Sequence, residues 1–275
     1  MAATVERYSH PLPEPDDRVR PSWLSISGFP YWAVLLAGIE IYLAYLAFAV
    51  DDYNRAFRFL RPGIATTLEI AFWAFIVASG IGLIAALGRL SSYAVPRNIA
   101  RTYIEFIRGV PTLPLVFFMA FVIVPDLTSA LGGDGQTLSQ LWRGIFALSL
   151  IYGGYIAEVF RGGIQSVPKG QIEAGRSVGM SSLQTMQSVV LPQAIRAILP
   201  PLGNDFISIL KDTSLLSVLA VSEITYNSKL FVNTSFQPRE TYTMLVFIYL
   251  TLVLGLSLLL NLFERWLNRD QAGAR

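Results

Sequence analysis

The chain has 275 residues, of which 53% are hydrophobic and 15% are charged, and its formal net charge is +2. Soluble domains carry about 25% charged residues, so this composition excludes an ordinary soluble protein and favours an integral membrane protein. The chain has no cysteine, which excludes disulfides and thiolate chemistry within it. Its single histidine, His10, lies in a polar segment, which excludes a His-dependent catalytic triad and most zinc sites.

The first 30 residues are predicted to form a mobile tail rather than a cleaved signal peptide. They are rich in charged residues and proline, and no apolar core begins before about Trp32. Aromatic side chains near the end of this segment, among them Trp23 and Phe29, are expected to lie at the membrane interface.

Six segments are apolar enough and long enough to cross a membrane, which takes roughly 20 residues. They are Trp32–Val50, Thr66–Gly88, Gly109–Pro125, Leu138–Phe160, Gly203–Ile224 and Thr241–Phe263. The fifth contains several charged side chains and is predicted to line a polar cavity, because a charge that faces lipid is costly. We therefore predict an all-α integral membrane protein with about six transmembrane helices.

The distribution of arginine and lysine predicts which side of the membrane each connecting segment faces. Of the 21 basic residues, fourteen fall on the segments of one side, six fall on the other side, and Lys211 lies inside a span. Cytoplasmic segments carry the excess of basic residues, so both termini are predicted to be cytoplasmic. Loops near Asp51–Pro62, Asp126–Gln140 and Asn227–Arg239 are predicted to face outside.

Small residues recur every four positions in the second span, at Ala74, Ala78, Gly82 and Ala86. This spacing places them on one face of a helix, where they allow another helix to approach closely. We interpret the stripe as a packing surface without a functional role.

The segment Pro168–Pro201, on the predicted cytoplasmic side, is long and patterned. Lys169–Val178 is predicted to be a short helix, which Gly179 ends in a left-handed conformation. A second short helix is predicted to run up to Leu191, with Pro192 opening the next element.

The start of that second helix carries a recognisable cap. Ser181 and Gln184 fit a capping box, in which each side chain bonds the other residue's backbone. Leu183, Met186 and Val190 then form an apolar stripe. The segment is therefore predicted to be a rigid helix–corner–helix elbow that a soluble partner can hold.

One pattern in this segment resembles the EAA signature of ABC importer permeases. It runs Glu173-Ala174-Gly175, three residues, Gly179, nine residues, and then Val189-Val190-Leu191-Pro192. The pattern departs from the signature at Gly175, where Ala is usual, and at Val189, where Ile is common. Both departures are small in size.

Further stretches resemble one branch of that family, the permeases for polar amino acids of the histidine/glutamine/arginine type. They are Thr67-Leu68-Glu69, Phe106-Ile107-Arg108-Gly109-Val110-Pro111, Tyr155-Ile156-Ala157-Glu158-Val159-Phe160-Arg161-Gly162-Gly163, and Leu210-Lys211-Asp212-Thr213-Ser214-Leu215. The resemblance covers about residues 64–265. Residues 1–60 depart from it, because many members of the branch have five spans and this chain adds an N-terminal helix.

The resemblance implies a type I ABC importer permease fold with a defined domain organisation. Residues 1–30 would be a cytoplasmic tail, 31–60 an additional helix and outer loop, and 61–268 the transmembrane domain, with the coupling loop at about 168–200. It also implies partners: an ATPase dimer, a second permease subunit that is identical or related, and an external amino-acid-binding protein. The expected location is the bacterial cytoplasmic membrane, with the lipid bilayer as surroundings and no nucleic acid as a partner.

The resemblance also identifies candidate site residues. Contacts with the ATPase would come from Glu173, Ala174, Gly175, Gly179, Leu183, Leu191 and Pro192. The substrate path would include Lys211, Asp212, Thr213 and Ser214. Since adjacent helical positions point about 100° apart, Lys211 and Asp212 do not pair well with each other. Each needs another partner, which is a nearby span, water or a zwitterionic amino acid.

Glu158 and Arg161 form another candidate pair, because residues three apart share one face of a helix. They lie where the fourth span meets the cytoplasm. Their pairing has two interpretations: an inner gate or orienting pair beside the elbow, or an exposed pair of little energetic value.

Two other functional classes fit the sequence less well. A membrane enzyme needs a nucleophile or a metal cluster. The chain has no cysteine, its only histidine lies in the polar tail, and its carboxylates are isolated, so neither is evident. An ion-coupled carrier or channel is the alternative transport function, but carriers usually contain internal repeats, and none is evident. No GxxxxGKS/T loop occurs, so this chain is not expected to bind ATP. No catalytic site, cofactor or metal is predicted in it either.

Overall fold

The computed structural model describes residues 31–133 and 138–272, with side chains as far as residue 265. Residues 31–39 belong to a first compact unit, of which this helical stretch is the described part, and Glu40–Arg275 form the second unit. The predicted tail of residues 1–30 lies outside the described residues. Throughout the described ranges the regular structure is helical, as the all-α prediction required.

The helices are numbered in chain order. They are α1 Tyr31–Ala49, α2 Asp51–Leu60, α3 Gly63–Leu90, α4 Ala94–Gly109, α5 Thr112–Phe118, α6 Val124–Ala130, α7 Gln140–Gln165, α8 Lys169–Ser177, α9 Ser182–Thr185, α10 Leu191–Asp212, α11 Ile224–Ser235 and α12 Pro238–Ala272. Two π-helical segments, Met119–Ile123 and Met186–Val190, join α5 to α6 and α9 to α10, and a 3₁₀ helix, Thr213–Leu219, follows α10.

Five helical stretches are long and apolar enough to cross a membrane. They are Tyr31–Ala49, Asp51–Leu90, Thr112–Ala130, Gln140–Gln165 and Pro238–Arg265. Each contains most of one predicted span, so these five predictions are confirmed, although the predicted boundaries differ by several residues. The protein is therefore embedded in a membrane.

The small-residue stripe of α3 packs against α7, as predicted. Ala74, Ala78, Gly82 and Ala86 are all buried. A Cβ atom on Gly82 would lie 2.8 Å from Ile156 Cγ2 and 3.0 Å from the backbone nitrogen of the next residue, so the two helices meet there without room for a side chain. Ala74, Ala78 and Ile156 all belong to the main hydrophobic core.

The predicted span Gly203–Ile224 is wrong in its boundaries and its helix type. The helix already begins at Leu191, and after Asp212 the chain continues as a 3₁₀ helix that ends at Leu219 and is capped by Ala220, which has a φ of 57°. Polar side chains and two internal prolines hid its first half from a hydropathy reading. This α10–3₁₀ segment nevertheless runs antiparallel to α7 along most of its length, since Ile198 faces Gly163 and Leu216 faces Gly144.

Helix α4 was not predicted. It packs on α3 and α7 through Ile104 and Ile107, which are fully buried. The Tyr103 hydroxyl donates a hydrogen bond of 2.5 Å to the carbonyl of Leu150 in α7. The other face of α4 is exposed and mixes apolar and basic side chains. The helix therefore has no long apolar run that would have revealed it in the sequence.

Two of the three predicted outer loops are largely helical and the third is helical at its start, which corrects their description as loops but not their predicted side of the membrane. Asp51–Pro62 contains α2, Asp126–Gln140 begins within α6, and Asn227–Arg239 contains most of α11. Helix α2 is amphipathic and buries Ala56 and Leu60 in a cluster with α11 and α12. Short helices with charged outer faces look like loops in a hydropathy profile, because only one side of each is apolar.

Candidate functional site

The elbow predicted from the sequence is present, and its corner has the expected backbone. Gly179 has a φ of 86°, in the left-handed region. Its N–H donates to Arg176 O at 3.0 Å, and the N–H of Met180 donates to Gly175 O at 3.2 Å. These two bonds form a Schellman motif, which satisfies the last carbonyls of α8.

The second arm of the elbow begins with the predicted capping box. The N–H of Gln184 donates to Ser181 Oγ at 3.3 Å, and the N–H of Ser181 donates to Gln184 Oε1 at 2.9 Å. This arm was predicted to stop at Leu191, but it continues beyond that residue. Helical backbone continues from α9 through the π-helical segment into α10, because the residues at each junction keep right-handed helical dihedrals.

The elbow presents an exposed apolar surface. Val178 is 76% exposed and Leu183 is 66% exposed, and Met186 and Leu191 are also exposed. Val190, predicted to share a stripe with Leu183, is instead buried against the end of α7 and the start of α10. Among the candidate coupling residues, Glu173, Ala174 and Pro192 are exposed and Gly175 is buried. Exposed apolar side chains grouped on a rigid corner are typical of a protein interface.

Lys211 and Asp212 lie at the end of α10 and face different neighbours. The Tyr152 hydroxyl of α7 donates a hydrogen bond of 2.8 Å to Asp212 Oδ2. Lys211 is exposed and lines an open groove of about 530 Å³ between the end of α10, α11 and α12. Asp212 therefore contacts α7, whereas Lys211 lines the groove.

The next two candidate residues differ in accessibility. Thr213 is buried, and its hydroxyl donates to Leu210 O at 2.8 Å. Ser214 is half-buried and lines the same groove as Lys211. One further carboxylate, Asp205, lies on the Asp212 side of α10, within electrostatic range of Tyr152. Its Oδ2 atom is buried and has no hydrogen-bond partner in the part of the chain that the structure describes.

Glu158 and Arg161 pair at the end of α7, as their spacing indicated. Arg161 donates to Glu158 Oε2 from Nε at 2.9 Å and from Nη2 at 2.5 Å, and it also donates to Gln165. The Arg161 side chain is 30% exposed and the Glu158 side chain is 22% exposed. Arg89 and Arg108 lie within electrostatic range of Glu158, so the carboxylate is surrounded by several cations.

Comparison with known proteins identifies the family. A profile of the binding-protein-dependent transport system inner membrane component family matches residues 78–271. The chain belongs to this family. A probable amino-acid permease protein of Bacillus subtilis, YxeN, is 37% identical over 78% of this chain and 93% of its own length. The glutamine transport system permease protein GlnP of Escherichia coli is 34% identical over 76% of this chain and 93% of its own length.

Solved structures agree with the family assignment. An amino acid ABC transporter, crystallised with histidines, is 34% identical, with a TM-score of 0.67 over 76% of this chain and 94% of the other. A bacterial alginate ABC transporter shares the fold with a TM-score of 0.62 over 90% of this chain and 94% of the other, at 16% identity. The fold is therefore that of type I ABC importer permeases.

Sequence reasoning missed the side chains that surround the candidate residues. Tyr152, which binds Asp212, is 60 positions away in the chain, and no local pattern relates the two. Tyr249 and Glu223, which lie beside the Lys211 groove, were likewise not identified. The available signal was the presence of a carboxylate and of aromatic hydroxyls inside apolar segments. Such polar groups need partners there, so their presence could have pointed to these contacts.

Proposed function

We propose that this protein is a permease subunit of an ATP-binding-cassette importer that moves amino acids across the bacterial cytoplasmic membrane. Family membership supports this proposal, as do the relatives named as amino-acid and glutamine permeases. The solved neighbours are named as ABC transporters, which favours an ATP-driven mechanism over an ion-coupled carrier or channel. The protein itself is then a transport subunit rather than an enzyme, and ATP hydrolysis belongs to its partners.

The observation that carries the proposal is the elbow, Glu173–Leu191. Its corner is fixed by a Schellman motif and a capping box, and Val178, Leu183, Met186 and Leu191 are exposed, because no described part of the chain covers them. An ATPase dimer that covers this surface would remove Val178 and Leu183 from water. Burial of apolar area contributes roughly 25 cal/mol per Å², so these side chains would contribute favourably to the contact.

The remaining partners follow from the same function. A second permease subunit, identical or related, would complete the pore, and an external binding protein would deliver the amino acid to the outer ends of α2, α6 and α11. Both termini, including residues 1–30, would face the cytoplasm, which the excess of basic residues on that side supports. Residues 31–60 would add an N-terminal transmembrane helix and an outer segment to a transport domain of residues 61–268.

The polar segment at the end of α10 is the proposed substrate path. Lys211 and Ser214 are open to the groove, whereas Asp212 is held by Tyr152 and Thr213 bonds its own helix. These contacts support direct substrate binding by Lys211 and an orienting role for Asp212. Glu158 and Arg161, close to the start of the elbow, would act as an inner gate whose ion pair changes partners during transport.

The decisive experiment replaces Gly179 by valine in the complete importer. No atom lies within 4 Å of a Cβ at this position, so the effect would come from the backbone rather than from a clash. A φ of 86° costs an L-residue about 1–2 kcal/mol, and more for a β-branched side chain. We expect Gly179→Val to insert into the membrane but to lose most ATPase co-purification and transport.

Gly170→Val is the matched control, because Gly170 lies in the same elbow region, has open space beside it and has no positive φ. It should retain assembly and transport. If Gly179→Val co-purifies with the ATPase and transports as well as Gly170→Val, the elbow is not the coupling site.

A further inference from the structure

Helix α4 carries three lengthwise stripes of side chains. At 100° per residue, one stripe is buried against α3 and α7, an exposed apolar stripe lies on one flank of it, and an exposed basic stripe lies on the other flank. In that order, the stripes are Ala100, Ile104 and Ile107; Val95, Ile99 and Phe106; and Arg97, Arg101 and Arg108. An exposed helix with one apolar and one basic flank is suited to the boundary between lipid tails and headgroups.

A groove of about 420 Å³ lies between α3 and the apolar flank of α4. Its lining is almost wholly apolar, and the one hydroxyl among its side chains, that of Tyr103, is already bonded to the carbonyl of Leu150. Two of its lining side chains, Ile84 and Ile99, are 74% and 67% exposed, so no described part of the chain covers them. In a membrane-embedded protein, an acyl chain matches both the apolar lining and the open side of this groove.

Three arginines lie at one end of the groove, because each directly follows a residue of its lining. They are Arg89 after Gly88, Arg97 after Pro96, and Arg101 after Ala100. The three lining residues meet closely, since a Cβ atom on Gly88 would lie 3.2 Å from Ala100 Cβ and 3.4 Å from the Pro96 carbonyl oxygen. Consecutive Cα atoms are only about 3.8 Å apart, so all three arginines are attached next to that meeting point.

Two of these three charges lack a partner in the protein. Arg97 and Arg101 are exposed, and their guanidinium groups make no hydrogen bond or ion pair with the described side chains, although Glu105 lies one turn beyond Arg101. Arg89 is half-buried and lies within electrostatic range of Glu158. This end of the groove therefore has uncompensated positive charge directly beside apolar surface, which is complementary to a negative headgroup joined to an acyl chain.

We propose that α3 and α4 bind an anionic phospholipid, whose acyl chain lies in the groove and whose phosphate contacts Arg97 and Arg101. Guanidinium groups bind phosphate oxygens through paired N–H donors, which makes arginine suited to this contact. These arginines are on the predicted cytoplasmic side, where anionic lipids produce a negative surface potential. The inference goes beyond the proposed function and requires only that the protein is embedded in a membrane.

Fluorescence quenching by brominated lipids tests the site, because bromine quenches a fluorophore that it contacts. Leu87→Cys, 55% exposed and adjacent to Gly88 of the groove, provides the only thiol in this chain for a bimane label. The complete importer, with any cysteines of its other subunits replaced, is reconstituted into vesicles containing brominated phosphatidylglycerol or brominated phosphatidylcholine. Leu258→Cys, 65% exposed on α12, reports on lipid contact away from α4.

Quenching against lipid composition gives the relative affinity of each labelled site for the two lipids. We expect the α3 label to show a preference for phosphatidylglycerol of about fivefold or more, the factor that one arginine near an anionic surface contributes, and the α12 label to show none. Combining Arg97→Gln with Arg101→Gln should remove the preference. Combining Arg58→Gln with Arg61→Gln removes the same charge from exposed positions in and next to α2, and should leave the preference unchanged.

Each opposite result would overturn the proposal. Equal affinity for the two lipids at the α3 label would exclude a site for anionic lipid, and an equal preference at the α12 label would show a general surface effect. Absence of quenching by either lipid at α3 would mean that protein covers the groove. Loss of the preference in excess glycerol phosphate would indicate a site for free phosphate. If the variant without Arg97 and Arg101 fails to insert, salt decides, because a preference unchanged at high ionic strength does not come from exposed arginines.

Discussion

Gly175 is buried in α8, and the space beside it accommodates one methyl group. A Cβ atom built there would lie 3.4 Å from Met180 Sδ and from Thr185 Cγ2, and 3.5 Å from Val189 Cγ2, which are ordinary van der Waals distances. The residue lies within the helix and has no positive φ. We therefore expect Gly175→Ala, which restores the usual residue of the EAA signature, to stabilise the elbow.

Two contributions set the size of the effect. Alanine is favoured over glycine inside a helix by about 0.8–1.0 kcal/mol. Burial of the added methyl group contributes up to about 0.8 kcal/mol. Together they give roughly 1.5–2 kcal/mol, which corresponds to about a tenfold to thirtyfold decrease in the fraction of time that α8 is open.

Amide hydrogen exchange of the purified complex measures this opening directly. Peptides that cover Lys169–Ser177 should exchange about tenfold to thirtyfold more slowly in Gly175→Ala, while peptides from α12 should be unchanged. Gly170→Ala is the control, since it lies in the first turn of α8 with nothing within 4 Å to contact a methyl group. Unchanged or faster exchange in Gly175→Ala would refute the packing argument, as would an equal effect of the control.

Three further predictions concern topology and the charged pairs. A cysteine at Ser129, which is exposed near the end of α6, should react with a membrane-impermeant maleimide added to intact cells, and labelling only after lysis would invert the orientation. Exchanging the charges of Glu158 and Arg161 should reduce transport at least severalfold without loss of assembly if the pair is a gate, whereas full transport would show a replaceable local pair. Asp212→Asn should assemble but transport less well, because the Tyr152 hydroxyl bond becomes weaker by about 1 kcal/mol; uptake equal to wild type would exclude Asp212 from the path.

Local signals in the sequence were sufficient for part of the fold. Long apolar runs revealed five spans, because a lipid-facing helix must be apolar on most of its surface. The corner at Gly179 and the cap at Ser181 were also predictable, since both depend on residues within a few positions of each other. The packing role of Gly82 was predictable because small residues recur every four positions along this helix.

Other elements depended on information that a local pattern does not carry. Helices α2, α4 and α11 have polar outer faces, so hydropathy did not distinguish them from loops. Pro192 was expected to separate two elements, but a proline is tolerated in the first turn of a helix, where its missing N–H matters least. The bond between Tyr152 and Asp212, and the one between Tyr249 and Glu223, join distant positions that only the packed helices bring together.

The unbroken helical backbone from Ser182 to Asp212 has a mechanical consequence. At 1.5 Å per residue its length is roughly 45 Å, longer than the hydrocarbon core of a bilayer, which is about 30 Å. A tilt of about 10° at the elbow would therefore carry the Asp212 end through a stroke of roughly 8 Å if the rod stayed straight. Pro200 and Pro201 lie partway along this helix and lack the backbone N–H that would complete the hydrogen bonding there, so a bend is expected at these two residues. If the elbow moves as proposed, the stiffness of the helix at these two prolines would set how much of the displacement reaches the membrane interior.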